Sequence, residues 1–259
     1  MHILTEDLCF GYNQENTVLE NINLDLEGNK LVSIIGPNGV GKSTLIHCFN
    51  KILTPTSGKV YINDVEIHEY KYKDLAKIIG YVPCSTTDTF PLTVTDTILL
   101  GRNPHRKWGS LDNDLAKVYE VLRMLDIEEL AMRPFNELSA GQHQKVVLAR
   151  GLAQEPEILL LDEPTSNLDI KHQMGVTKLL RDYARKNNVQ VIMISHDLNI
   201  AAKYSDEVMM LYNKGIYAMG KPSDILTPEN IKTVYGVDSD VLNIHNTPHV
   251  ILKDENDVE

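Results

Sequence analysis

Residues 31 to 44 read Leu31-Val32-Ser33-Ile34-Ile35-Gly36-Pro37-Asn38-Gly39-Val40-Gly41-Lys42-Ser43-Thr44. From Gly36 onward the run fits a glycine, four residues, then Gly-Lys-Ser/Thr, a phosphate-loop pattern far more specific than a lone glycine-rich turn. Glycine lets backbone N–H groups converge on phosphate oxygens that a Cβ would hold off. In such a loop Lys42 supplies a point charge for the β- and γ-phosphates, and the Ser43 hydroxyl is a ligand for Mg²⁺. Both flanks agree. Leu31 to Ile35 is a short apolar run of the buried-strand type, while Leu45, Ile46, Phe49 and Ile52 recur at helical spacing. A helix N-terminus aimed at an anion follows from that order.

The chain has 259 residues, enough for one large α/β unit or a core with an inserted subdomain. Lys and Arg number 25 against 36 Asp and Glu, a formal charge of −11 that argues against general attraction to nucleic acid or anionic lipid. Cys9, Cys48 and Cys84 lie far apart, without metal-ligand spacing, which points to a reducing compartment. The start, Met1-His2-Ile3-Leu4-Thr5-Glu6-Asp7, lacks the basic and long apolar regions of a signal peptide. No apolar run approaches the roughly 18 residues that a bilayer span needs. The expectation is a soluble cytosolic chain whose membrane role, if any, comes through a partner.

Short apolar stretches and turn signals alternate over residues 1 to 35, as small strands would. Lys59 to Asn63 reads as another strand after the break at residues 54 to 58. In the middle, Leu115, Val118, Tyr119, Leu122 and Leu125 follow a helical period. Ser139 sits at an N-cap position before a second helical run through Val146, Ala149, Leu152 and Ala153. Ile158 to Leu161 and Val191 to Ile194 look like buried parallel strands, with a helix through Val176, Leu179, Leu180 and Tyr183 between them. The fold class is α/β, with a nucleotide-binding core at 1–84 and 156–225. A helical subdomain at 85–155 interrupts it, and a tail follows at 226–259.

The strand Ile158 to Leu161 ends in Asp162-Glu163-Pro164, an acidic pair where open α/β sheets bind ligands. Asp162 is the natural Mg²⁺ partner of Ser43, and Glu163 can polarise a water for attack on the γ-phosphate. Alone, such a pair is usually a solvated strand end; the phosphate loop in the same chain changes that reading.

Four further segments resemble the nucleotide-binding subunits of ABC transporters. Leu138-Ser139-Ala140-Gly141-Gln142 looks like the signature, Ser166-Asn167-Leu168-Asp169 like the D-loop, and Ser195-His196-Asp197 like the switch-histidine motif. Tyr12, in Phe10-Gly11-Tyr12, stands where this family places an aromatic that stacks on adenine. The resemblance implies a P-loop NTPase core of ABC type, with an N-terminal antiparallel β subdomain and a helical insertion. It also implies ATP hydrolysis with Mg²⁺, by a homodimer in which each nucleotide lies between one phosphate loop and the partner's signature helix. Ser139, Ala140, Gly141 and Gln142 would then act in trans, His196 would bond the γ-phosphate, and Asp169 would line the subunit interface. The implied partners are integral membrane permease subunits and, indirectly, a substrate-binding protein, with no nucleic acid. The implied place is the cytoplasmic face of the membrane.

Two positions depart from the family pattern. Ala140 replaces the signature's first glycine and keeps the backbone donor. Tyr81-Val82-Pro83-Cys84 aligns where the family has a glutamine, so either Ser85 compensates for Cys84 or coupling is weakened. Thr93 to His105, with Gly101-Arg102-Asn103-Pro104-His105, resembles importer ATPases for iron–siderophore, haem and cobalamin chelates, as does the stretch Pro222 to Val237. A plain helix-breaking turn is the bland reading of Gly101 to His105. The alternatives are an export ATPase, or a non-transport ATPase of DNA maintenance or translation. The short insertion, single cassette and acidic charge speak against the latter.

Overall fold

The computed structural model describes residues 1–13, 16–84, 92–106, 111–166 and 168–254. Strands β1 (His2–Asn13) and β2 (Asn16–Glu27) pair antiparallel. They are two long strands where the sequence pattern suggested several small ones. Register shifts between Thr5 and Asn13 bend the pair, and Asp7 and Asn21 take positive φ of 45° and 50° there. Such bends break the alternation that marks a long strand. Next come β3 (Leu31–Ile35), buried at every position, and α1 (Lys42–Phe49). Helix α1 stops at Phe49, so Ile52, which shares its helical spacing, lies beyond the helix and is 57% exposed.

The chain continues through β4 (Ser57–Ile62), β5 (Val65–Glu66), α2 (Tyr72–Ile78), β6 (Ile79–Val82), α3 (Val94–Leu99), α4 (Leu111–Met124) and α5 (Ala140–Ala153). After these come β7 (Ile158–Leu161), α6 (Ile170–Asn187), β8 (Gln190–Ile194), α7 (Leu198–Tyr204), β9 (Glu207–Tyr212) and β10 (Gly215–Gly220). The last elements are α8 (Pro222–Ile225), α9 (Pro228–Tyr235), β11 (Ser239–Ile244) and β12 (Thr247–Leu252). Two compact units result, residues 1–69 with 180–259, and residues 70–179.

In the first unit, β2-β1-β4-β5 form an antiparallel sheet. Strand β3 pairs in parallel with β8 on one side and β9 on the other, and β10 closes on β9 antiparallel. Continuous apolar runs in β3 and β8 suit strands covered on both faces. Residues of α9 and the β11–β12 hairpin pack onto this unit. Ile231, Val234 and Val250 join Ile35, Val208 and Met210 in one buried cluster. Asn199 ties the β11–β12 hairpin to α7: its Nδ2 donates to the Val250 carbonyl (3.2 Å), and its Oδ1 accepts from the Val250 N–H (2.8 Å).

In the second unit, β6 and β7 pair in parallel from Ile79↔Ile158 to Val82↔Leu161. Helices α3, α4 and α5 pack together through Val94, Ile98, Val118, Leu122, Val146 and Ala149, all fully buried. On α4 the period places Val118 and Leu122 inward, and Leu125 is buried just past its end, but Tyr119 faces out at 45% exposure. The same helix carries a buried charge. Arg102, in the 3-10 turn Leu100–His105, donates from Nε to Asp114 Oδ1 (3.0 Å). Its Nη1 reaches the Ala153 carbonyl (2.6 Å) and Glu155 Oε2 (2.8 Å). Arg102 thereby satisfies a carbonyl at the end of α5, where helices leave four without intrahelical partners. Gly101 permits this approach, since a Cβ there would strike the Arg150 carbonyl oxygen.

Candidate active site

The phosphate loop lies in the first unit between β3 and α1. Gly36 (φ 146°) runs so close to β9 that a Cβ would collide with the Leu211 carbonyl oxygen. Gly41 (φ 106°) is the N-cap of α1, and a Cβ there would meet Leu19 Cδ2 at 2.9 Å. Positive φ and lack of space make glycine necessary at both. Lys42 is 5% exposed, and its Nζ donates to the carbonyls of Gly36 and Pro37, each at 2.8 Å. The ammonium is thus held over the loop, with Asn38 and Gly39 exposed beside Pro37 and Val40. Ser43 follows in the first turn of α1, half-buried, and Thr44 is buried behind it.

Tyr12 stands next to this loop. Its hydroxyl shares a hydrogen bond with Thr44 Oγ1 (3.2 Å), and its ring packs edge-on against Phe10 with centroids 5.0 Å apart. The ring is otherwise open, at 63% exposure. An exposed aromatic held at hydroxyl and edge offers a flat face to another ring. His196 belongs to the same unit. It is exposed two residues beyond the end of β8, the strand paired with β3. Ser195 donates its N–H to Ile34 (3.0 Å), and Asp197 caps α7 through the N–H groups of Asn199 and Ile200.

The second unit holds the acidic residues. Asp162 is 7% exposed at the end of β7, with its N–H on the Val82 carbonyl (2.8 Å). Glu163 has φ 51°, a left-handed conformation unusual for a residue with a Cβ. Ser166 supports that turn, donating its N–H (3.3 Å) and its hydroxyl (3.2 Å) to the Glu163 carbonyl. Cys84, just past β6, donates its thiol to Glu163 Oε2 at 3.7 Å and lies 4.0 Å from Ser166 Oγ. Burial and the Glu163 carboxylate push the Cys84 thiol above its ordinary range, so it keeps its proton. Ser85, the alternative partner at this position, lies outside the described residues, as does Asn167 of the D-loop-like segment.

Ser139 caps α5 as its position suggests. Its Oγ accepts from the Gln142 N–H (3.4 Å), while Gln142 Oε1 accepts from the Ser139 N–H (3.1 Å), a reciprocal capping box. His143 stacks on buried Phe135 with centroids 4.1 Å apart, which fixes the first turn. Asp169 caps α6, accepting from the N–H (2.9 Å) and Nδ1 (2.8 Å) of His172. Those two bonds, the backbone one first, hold its carboxyl below the usual range. Ser139, Gly141, Gln142, Lys145, Asp169 and His172 line one cavity of about 480 Å³. Lys145 and His172 are additions to the sequence reading. Both were open to discovery by helical spacing, His172 three residues after Asp169 and Lys145 three after Gln142 on α5.

The residues fit the groups they are expected to meet. Ser43 and Asp162 offer hard oxygen donors, the kind Mg²⁺ takes alongside phosphate oxygens and water. The phosphate loop offers backbone N–H groups at the start of a helix, with a lysine folded over it.

Residues 19–166 match the family model described as ABC transporter. An uncharacterized ABC transporter ATP-binding protein of Methanocaldococcus jannaschii is 46% identical over 97% of this chain and 98% of its own. The hemin import ATP-binding protein of Escherichia coli O157:H7 is 37% identical, over 92% of this chain and 95% of that one. Among solved structures, an inward-facing transporter described as metal-chelate type superposes with a TM-score of 0.83, at 29% identity and 98% coverage of each chain. A dimeric ATP-binding cassette in a post-hydrolysis state with ADP and Pi gives 0.76, at 29% identity, covering 85% of this chain and 98% of that one.

Proposed function

Because this chain belongs to the ABC transporter family and is an ATP-hydrolysing subunit of it, we propose that it drives import of a metal chelate of the iron–siderophore, haem or cobalamin kind. The observation that carries the ATP site is the loop Gly36–Thr44, with Lys42 folded over it and the open Tyr12 ring alongside. The import reading draws support from the hemin importer's likeness over nearly the whole chain and from the metal-chelate type structural neighbour.

In this reading Tyr12 stacks on adenine, while the loop N–H groups and Lys42 offset charge on the β- and γ-phosphates. Ser43 and Asp162 would hold Mg²⁺, whose charge would offset that of the phosphates. Glu163 accepts the proton of the attacking water as its oxygen bonds to the γ-phosphorus and ADP departs. His196 bonds the γ-phosphate. The capped N-terminus of α5, with Ser139, Ala140, Gly141 and Gln142, meets the phosphate held by a second copy, and Asp169 lies at that interface. Residues 85–155 form the helical subdomain within a core at 1–84 and 156–225, with 226–259 as a carboxyl-terminal extension.

No described helix is long and apolar enough to cross a membrane. Integral membrane subunits therefore supply the path. They dock on the helical subdomain and the segment from Cys84 to Arg102, on the cytoplasmic face, with a substrate-binding protein acting from the far side. Co-reconstitution tests this: hydrolysis should rise several-fold when the chain joins an integral membrane permease and a binding protein delivers a metal chelate. Hydrolysis indifferent to both additions would overturn the import reading.

A further inference from the structure

We propose that Cys84 is a positioning residue for the general base, its thiol holding the Glu163 carboxylate in the orientation that receives the proton; this rests on the assignment of Glu163 above. Three observations converge on it. The Cys84 Sγ–Glu163 Oε2 separation is 3.7 Å, an ordinary length for a sulfur donor. Both residues follow paired parallel strands, since Val82 of β6 lies opposite Leu161 of β7, so the main chain itself sets their spacing. Glu163 also sits at φ 51°, a backbone state kept only where surroundings over-determine it; Ser166 fixes its carbonyl and Cys84 its carboxylate.

The chemistry explains why a thiol suits the place. A base must be held in a fixed direction to receive its proton. The thiol supplies one S–H donor, which fixes the direction of the carboxylate. The S–H must stay protonated to donate. Desolvation and the carboxylates of Glu163 and Asp162 keep it so, which also leaves little thiolate for oxidation or alkylation. Cys84 is thus the donor to the base.

Two substitutions separate donor from volume. Cys84→Ser keeps a hydrogen-bond donor in a smaller side chain; Cys84→Val fills similar space without one. Steady-state ATP hydrolysis and ATP affinity are measured on the full chain for both, beside Glu163→Gln. The expected result is Cys84→Ser within about twofold of the parent and Cys84→Val down about tenfold in kcat with KM unchanged, the loss of roughly one hydrogen bond to a charged group. Equal activity in the two variants, or a worse Cys84→Ser, would make the position one of packing and overturn the inference. A changed ATP affinity in Cys84→Val would do the same. A Glu163→Gln enzyme with parental turnover would remove the base assignment itself, and Cys84's role with it. With Glu163→Gln inactive, an unimpaired Cys84→Val overturns the Cys84 role alone.

Discussion

Tyr12 shows what single residues contribute and how far they can be read in advance. Its ring is open because Phe10 and Thr44 hold its edge and hydroxyl, leaving a face free. Tyr12→Ala should weaken ATP binding by roughly two- to tenfold, since aromatic contacts add about 0.5–1.5 kcal/mol beyond burial. Tyr12→Phe should stay near the parent, because stacking uses the ring and not the hydroxyl. Equal affinities for the two variants, by titration calorimetry, would take Tyr12 out of the site. The sequence named Tyr12, Lys42 and Glu163 because each sits at a fixed offset within a local motif. It could not name Thr44 as the anchor of Tyr12, or Cys84 as the partner of Glu163, because those pairs lie 32 and 79 residues apart. Only the folded chain joins them.

At the scale of elements, periodicity found α4 and α5, and the motif at Ser139 found the cap of α5. The same reasoning ran past the end of α1 to Ile52 and pointed Tyr119 inward. Period alone says nothing of where hydrogen bonding stops or how wide the apolar face is. The Arg102 cluster was hidden for another reason. Asp114 occupies a buried position on α4 and pairs with Arg102, which also bonds the end of α5. Arg102→Ala should therefore lower stability by about 3–5 kcal/mol, the usual result of removing one partner of a buried ion pair. Arg102→Lys should recover little, because an ammonium lacks the planar fork that reaches Asp114, Ala153 and Glu155 together. Urea unfolding checks this; a loss under 1 kcal/mol for Arg102→Ala would mean the cluster is solvated.

For the molecule as a whole, composition and motif order were enough to give the class of fold and the family. The carboxyl-terminal segment was less legible, since Ile231, Val234 and Val250 are buried beside Ile35, about 200 residues earlier in the chain. A short amphipathic helix and a hairpin look like surface until the sheet they cover is known. The central claim is that Glu163 is the base of an ATP site completed by a second copy of the chain. Sedimentation of the Glu163→Gln protein, alongside its rate of phosphate release, tests this most directly. The account predicts phosphate release reduced by about 10²–10⁴-fold, retained ATP binding, and a two-chain species with Mg²⁺ and ATP that dissociates with ADP. A single-chain species in ATP together with near-parental turnover would contradict it.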